Sequence, residues 1–360
     1  MKGRHALYLG FGLGALVVLS VVLIPTVLQA PSRSAAHLAG ASPAPSPMPA
    51  AAAAPSGLPA AGGAMAYDPE DHGVILFGGA VVIPQADGTN PVQTMGDTWL
   101  WNGTGWTKLN VTGPPARSVE MIAYDSVRHE LVMFGGSGPA GFGQALLFQD
   151  TWTWDGTAWH EQHPAHVPNP RARAAFSFDE RRGVAVMFGG EGEGTTTYNA
   201  TWTWDGVDWT MRDPATVPPG RHFATMAYDA DRGVTVLFGG SMAGARFNDT
   251  WTWDGESWTE QNGIAPAARG WSTLAYDSAI KQVVAYVYFA MDDNPVREYT
   301  MTWNGTGWTD RSGAGDPSPR AQTLMTYDPE HQQVLLYGPQ AETWIWDGSS
   351  WGLSKTATSG

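Results

Sequence analysis

Between residues 64 and 354 the apolar and polar positions run through one cycle six times. Each cycle opens on an apolar strand that ends in an aromatic residue and an aspartate: Tyr67-Asp68, Tyr124-Asp125, Phe178-Asp179, Tyr228-Asp229, Tyr276-Asp277 and Tyr327-Asp328. A short polar turn follows, then an unbroken apolar run, as in Val74 to Phe77 and Val234 to Phe238. After a loop of variable length comes a strand with tryptophan at alternate positions, an Asp-Gly or Asn-Gly turn, and a last strand begun by Trp106, Trp159, Trp209, Trp258, Trp308 or Trp351. The period is about fifty residues, which marks a repeat architecture. Alternation in Trp99-Leu100-Trp101 puts both rings on one face of a strand, and the Gly-containing turns predict hairpins. Every unit therefore reads as four antiparallel strands.

Rings this large are costly to expose, so each unit needs a neighbour of its own kind to bury against. Unbroken apolar runs indicate strands covered on both faces. Six such units predict an all-β, six-bladed β-propeller over residues 63–354, with regular turns on one face and variable loops on the other. The glycine pairs after the apolar runs, Gly78-Gly79, Gly135-Gly136, Gly189-Gly190 and Gly239-Gly240, followed by the aromatic strand, resemble the kelch repeat. Seventeen of the eighteen tryptophans fall on repeat positions, which argues that they fill the spaces between blades. Two units depart from the pattern: Val287-Tyr288 replaces the pair in the fifth, and Gly338-Pro339 in the sixth. Those blades are expected to bend differently there. Kelch propellers often close with a strand exchanged between the chain ends, whereas here every blade holds its four strands in order, so closure is expected from packing alone.

The N-terminal residues have a different character. Residues 1–5 carry Lys2 and Arg4, and residues 6–29 form an uncharged apolar stretch whose core, Leu7 to Leu28, has the length of a bilayer crossing. With the basic residues on its N-terminal side, this stretch predicts a signal anchor: a cytoplasmic N-terminus, a propeller outside, and secretion instead if the segment is cleaved. Residues 30–62, rich in Ala, Pro and Ser, predict an extended tether, and 355–360 a short tail.

Charge changes this picture little. The formal net charge is −14, and fourteen acids sit at repeated turn or strand-start positions, so turn chemistry accounts for the excess. No basic stripe exists, and nucleic acid is not an expected partner. The absence of cysteine removes disulfides and thiol chemistry, and with them the Cys–Tyr cofactor of galactose oxidase, a kelch-type enzyme. His160, His163 and His166 lie in a strand-to-loop segment whose spacing does not converge on a metal. No metal or other cofactor is expected.

Two sets of residues carry the candidate chemistry. An arginine stands seven residues before five of the aromatic-Asp pairs: Arg117, Arg171, Arg221, Arg269 and Arg320. They form either inter-blade structural contacts or a cationic rim. The second set breaks the repeat near the start of the innermost strands. Glu120 stands where other units have Ala174, Ala224, Ser272 or Thr323; Arg173, Phe223 and Trp271 share one position, with His222 beside Phe223. These residues are either channel filling or a ligand site at the channel mouth, the aromatics stacking on a sugar or apolar face. The sequence thus points to a membrane-tethered module binding protein or carbohydrate at its loop-rich face. The alternative, implied by the resemblance, is a mutarotase-like sugar enzyme using Glu120 with Arg173 or His222.

Overall fold

The computed structural model describes residues 57–354, apart from 60, 84–91, 140–145, 262–270, 292–293, 314, 319–321 and 339–341. The expected anchor, most of the tether and the C-terminal tail lie outside these residues. Among the described residues no helix is long and apolar enough to cross a membrane.

The chain forms a six-bladed β-propeller of four-stranded antiparallel blades, each blade taking its four strands in chain order. A short extra strand, Val92–Thr94, pairs with the second strand of blade one, and a two-stranded ribbon, Ser241–Met242 with Ala245–Arg246, is inserted in blade four. Blade two is typical: Met121–Asp125 innermost, then Glu130–Phe134, Thr151–Trp154 and Trp159–Gln162. Blades three and four run from Ala175–Asp179 to Trp209–Arg212 and from Thr225–Asp229 to Trp258–Gln261. Blade one begins with Ala61–Asp68, blade five with Trp271–Asp277 and blade six with Leu324–Asp328.

Each of six apolar clusters spans two adjacent blades, including blades six and one. The tryptophan that ends the third main strand of every blade, from Trp101 to Trp346, is almost wholly buried in these clusters. The outer-strand tryptophan of each blade also donates its Nε1–H to a threonine hydroxyl of the blade before it. Trp106 bonds Thr343, Trp159 bonds Thr98, Trp209 bonds Thr151, Trp258 bonds Thr201, Trp308 bonds Thr250 and Trp351 bonds Thr300, all at 2.8–3.0 Å. The circuit is complete, and no strand is exchanged between blades. Ring closure thus rests on packing and side-chain bonds.

The aspartates that end the innermost strands cap the turns that follow them. Asp125 Oδ1 accepts from the N–H groups of Val127 and Arg128, both at 3.0 Å, and its carboxylate also binds the Arg128 guanidinium. Hairpins form at the Asn-Gly and Asp-Gly pairs over four residues: Trp101 pairs with Trp106, and Asn102 Oδ1 accepts from Thr104 and Gly105 N–H at 3.1 Å.

The glycine pairs have a defined task. Gly135 and Gly136 adopt left-handed backbone, φ 63° and 102°, and end the second strand of blade two. Gly136 N–H then turns to the next blade and donates to Arg171 O at 2.9 Å. A Cβ on Gly189 would come within 2.4 Å of Arg221 O, so the blades meet at a distance only glycine permits. Blade five has Val287-Tyr288 in place of the pair, and its inner ladder runs unbroken there, pairing Trp271 with Tyr288 and Ser272 with Val287. Its second strand continues as Gln282–Met291, paired with the ten-residue Asn294–Trp303.

Candidate functional site

The three described arginines of the repeated set are structural. Arg117 is fully buried; its guanidinium donates to Pro115 O and Gly135 O and grips Asp150 with two 2.7 Å bonds. Arg221 repeats this with Pro219 O, Gly239 O and Asp249. Arg171 donates to Asn169 O and Gly189 O. Each lies over an aromatic ring, Phe148, Tyr198 or Phe247, with its central carbon 4.0–4.1 Å from the centroid. None of the three reaches the solvent-facing rim, so the cationic rim is not formed by them. Arg269 and Arg320 lie outside the described residues.

The residues that break the repeat do gather at one end of the ring. The position shared by Arg173 and Phe223 precedes each innermost strand, and its backbone is left-handed at Val119 (φ 53°), Arg173 (57°), Phe223 (58°) and Gln322 (60°). Such angles in non-glycine residues cost about 1 kcal/mol each. Three backbone bonds at this position step from blade to blade: Val119 N–H to Gly62 O, Arg173 N–H to Val119 O, and Phe223 N–H to Arg173 O. At the corresponding place in blade five the ladder runs straight through, pairing Trp271 with Tyr288 and Ser272 with Val287. The uninterrupted strand pair thus presents Trp271 at the rim, 37% exposed.

The side chains form a continuous arc across blades three to five. Arg173 is ion-paired with Glu191 and lies 4.9 Å from the Phe223 centroid. Phe223 meets His222 edge-on at 5.2 Å and Trp271 at 6.2 Å; Trp271 stacks on Tyr288 at 5.8 Å. Two polar atoms in this arc, Arg173 Nε and His222 Nδ1, are buried and have no hydrogen-bond partner among the described residues. Burial holds the His222 pKa below the ordinary histidine value, Arg173 adding to the effect and Glu191 opposing it. The imidazole is therefore neutral near pH 7 and free to donate or accept at one nitrogen.

Glu120 stands apart. It lines the central channel of about 180 Å³, together with Ala64, Met121, Ala175, Met226, Leu274 and Met325 from the innermost strands. Both its carboxylate oxygens are buried, against Gly78, and make no hydrogen bond of normal geometry among the described residues. Burial pushes its pKa up to about 8, although its own N–H, Arg117 and the Ala64 N–H pull the other way. Arg173 is occupied by Glu191, and the charges acting on His222 are those of Glu191 and Arg173. No hydrogen bond or ion pair joins Glu120 to Arg173 or His222 among the described residues.

Two members of the arc escaped sequence reading. Glu191 directly follows the glycine pair of blade three, where blades one, two and four have Ala80, Ser137 and Ser241. Tyr288 occupies the second glycine position of blade five. Both were signalled by a break in the repeat, but only the strand pairing shows that they face the same partners. The histidine cluster disperses: His160 binds Asp155 at 2.8 Å, while His166 binds Asp208, in blade three, at 2.6 Å. Compared with family models and with curated proteins, the chain matches none.

Proposed function

We propose that the protein is a binding module of kelch type, tethered outside the cell membrane, that takes a carbohydrate on the arc formed by Arg173, Glu191, His222, Phe223, Trp271 and Tyr288. The observation that carries this reading is the pair of unpartnered polar atoms, Arg173 Nε and His222 Nδ1, beside an exposed aromatic stack. A sugar ring supplies the complement, with an apolar face for Trp271 and hydroxyls for the two nitrogens and Glu191. The glycine pairs support the kelch assignment, and the apolar stretch of residues 6–29 with its Ala/Pro-rich tether supports the location. Binding is favoured over mutarotase-like catalysis because no hydrogen bond joins Glu120 to Arg173 or His222 among the described residues, and proton transfer requires such a contact.

The test is a glycan array of neutral and acidic saccharides probed with the full-length chain. Trp271→Ala should weaken a retained glycan by roughly tenfold or more, as expected for a central aromatic contact. Its melting temperature should hold, since the ring lies outside the buried core. Retention of no glycan, or equal retention by the variant, would overturn the reading.

A further inference from the structure

Arg171 is the odd member of its set. In blades two and four the residue before the Trp strand is an aspartate, and its carboxylate is held by three donors. Asp150 accepts from Arg117 Nη1 and Nη2 and from Trp152 Nε1, the last at 2.8 Å. Asp249 accepts from Arg221 and from Trp251 in the same way. In blade three the residue at this position is Ala200.

The backbone there is unchanged. Gly189 N–H donates to Ala200 O at 3.2 Å, as Gly135 does to Asp150 O at 3.1 Å and Gly239 to Asp249 O at 3.3 Å. The guanidinium is also held as in the other blades, by Asn169 O, Gly189 O and the face of Tyr198. Only the carboxyl group is missing from the chain. Two donors are left facing its place. Arg171 is 2% exposed and has no carboxylate partner among the described residues. Trp202 Nε1 is buried with no acceptor among the described residues. Burial lowers the Arg171 pKa to about 10, so the side chain remains cationic at neutral pH. The equivalent places in blades two and four lie near the surface, where the Asp150 and Asp249 side chains are 19% and 20% exposed.

We propose that the notch beside Ala200 is a binding site for a small carboxylate, whose oxygens take the Arg171 fork and the Trp202 indole N–H as the aspartate does in blades two and four. A planar two-oxygen anion fits a guanidinium fork bidentately, and a buried cation gains most from such a partner. The space beyond Cβ in an aspartate is one carboxyl group, which sets the size of the ligand near formate or acetate. The site is separate from the aromatic arc and stands whether or not that arc binds sugar.

The probes are sodium formate and sodium acetate, titrated into the full-length chain with ¹⁵N-labelled tryptophan, with sodium chloride as the reference salt. The Trp202 indole signal, identified by its loss in Trp202→Phe, should shift saturably with either carboxylate and hardly with chloride. Ala200→Asp should show that shift without added ligand and lose all response. Asp249→Ala should create a second responsive signal, from Trp251, and should regain melting temperature in acetate. An equal response to chloride would show an unselective anion notch and overturn the proposal, as would no response in the wild-type chain. Should Asp249→Ala fail to fold, the contrast between wild type and Ala200→Asp decides alone.

Discussion

Glu120 shows how one residue out of pattern acquires a consequence that can be measured. Its folded-state pKa, about 8, lies above the ordinary glutamate value because burial disfavours the charged form. Between pH 4.5 and 8 the folded chain keeps a proton that the unfolded chain has released. Stability from this group is therefore fully present below about pH 4.5, falls as pH rises, and levels off above about 8. The loss is at most roughly 5 kcal/mol, at 1.36 kcal/mol per pH unit over the span from 4.5 to about 8. Glu120→Gln should match the wild type near pH 5 and exceed it at pH 8, which denaturant unfolding at the two pH values would show. A wild-type slope that persists in the variant would place the titration elsewhere. The sequence made Glu120 conspicuous by its neighbours in the repeat, but not its isolation. That depends on Arg173 turning to Glu191, a contact across the two strands of blade three that linear order does not display.

Strands and turns were the most legible part of the chain, because apolar runs, aromatic-Asp ends and Asp/Asn-Gly turns each leave a local mark. The glycine pair was visible as a motif, while its task was not. It lets two blades touch through backbone, Gly136 to Arg171 O and Gly190 to Arg221 O, both at 2.9 Å. This close approach predicts an unequal cost for the same substitution. Gly189→Ala must hold φ near 73° and put a methyl 2.4 Å from Arg221 O. Gly194 has a similar φ of 66°, but a Cβ there meets nothing within 4 Å. Gly194→Ala should cost about 1 kcal/mol, the left-handed penalty alone. Gly189→Ala should cost upwards of about 3 kcal/mol, since a buried clash adds to that penalty. Equal melting-temperature losses would remove the close-contact explanation. Blade five is the natural counterpart: without the pair its inner ladder runs unbroken, and Trp271 and Tyr288 face each other at the rim as a result.

The ring as a whole repeats one seam six times, yet the seam between blades six and one joins the first blade in the chain to the last, Ala61–Asp68 beside Leu324–Asp328. It carries the same Trp106–Thr343 bond as the others, and has bonds of its own. Tyr337 Oη donates to Pro59 O at 2.5 Å, and Tyr67 Oη to Glu330 at 3.1 Å. No shared strand crosses it, so its opening breaks side-chain packing without breaking any sheet. At the other five seams a covalent linker keeps the separated blades close and favours reclosure. Thr343→Val and Thr151→Val each remove one acceptor from a buried indole N–H and leave that donor unsatisfied, a loss of about 1–3 kcal/mol in either case. Their global costs should agree within experimental error. Their local effects should not: Thr343→Val should speed amide exchange in Ala61–Asp68 and Leu324–Asp328 well below the denaturation midpoint, because those blades open as a pair. Thr151→Val should leave exchange at its own seam coupled to global unfolding. Hydrogen exchange resolved by peptide compares the two directly. Identical exchange patterns would mean that the terminal seam is no weaker than the rest, and that six matched inter-blade contacts close the ring as firmly as a shared strand would.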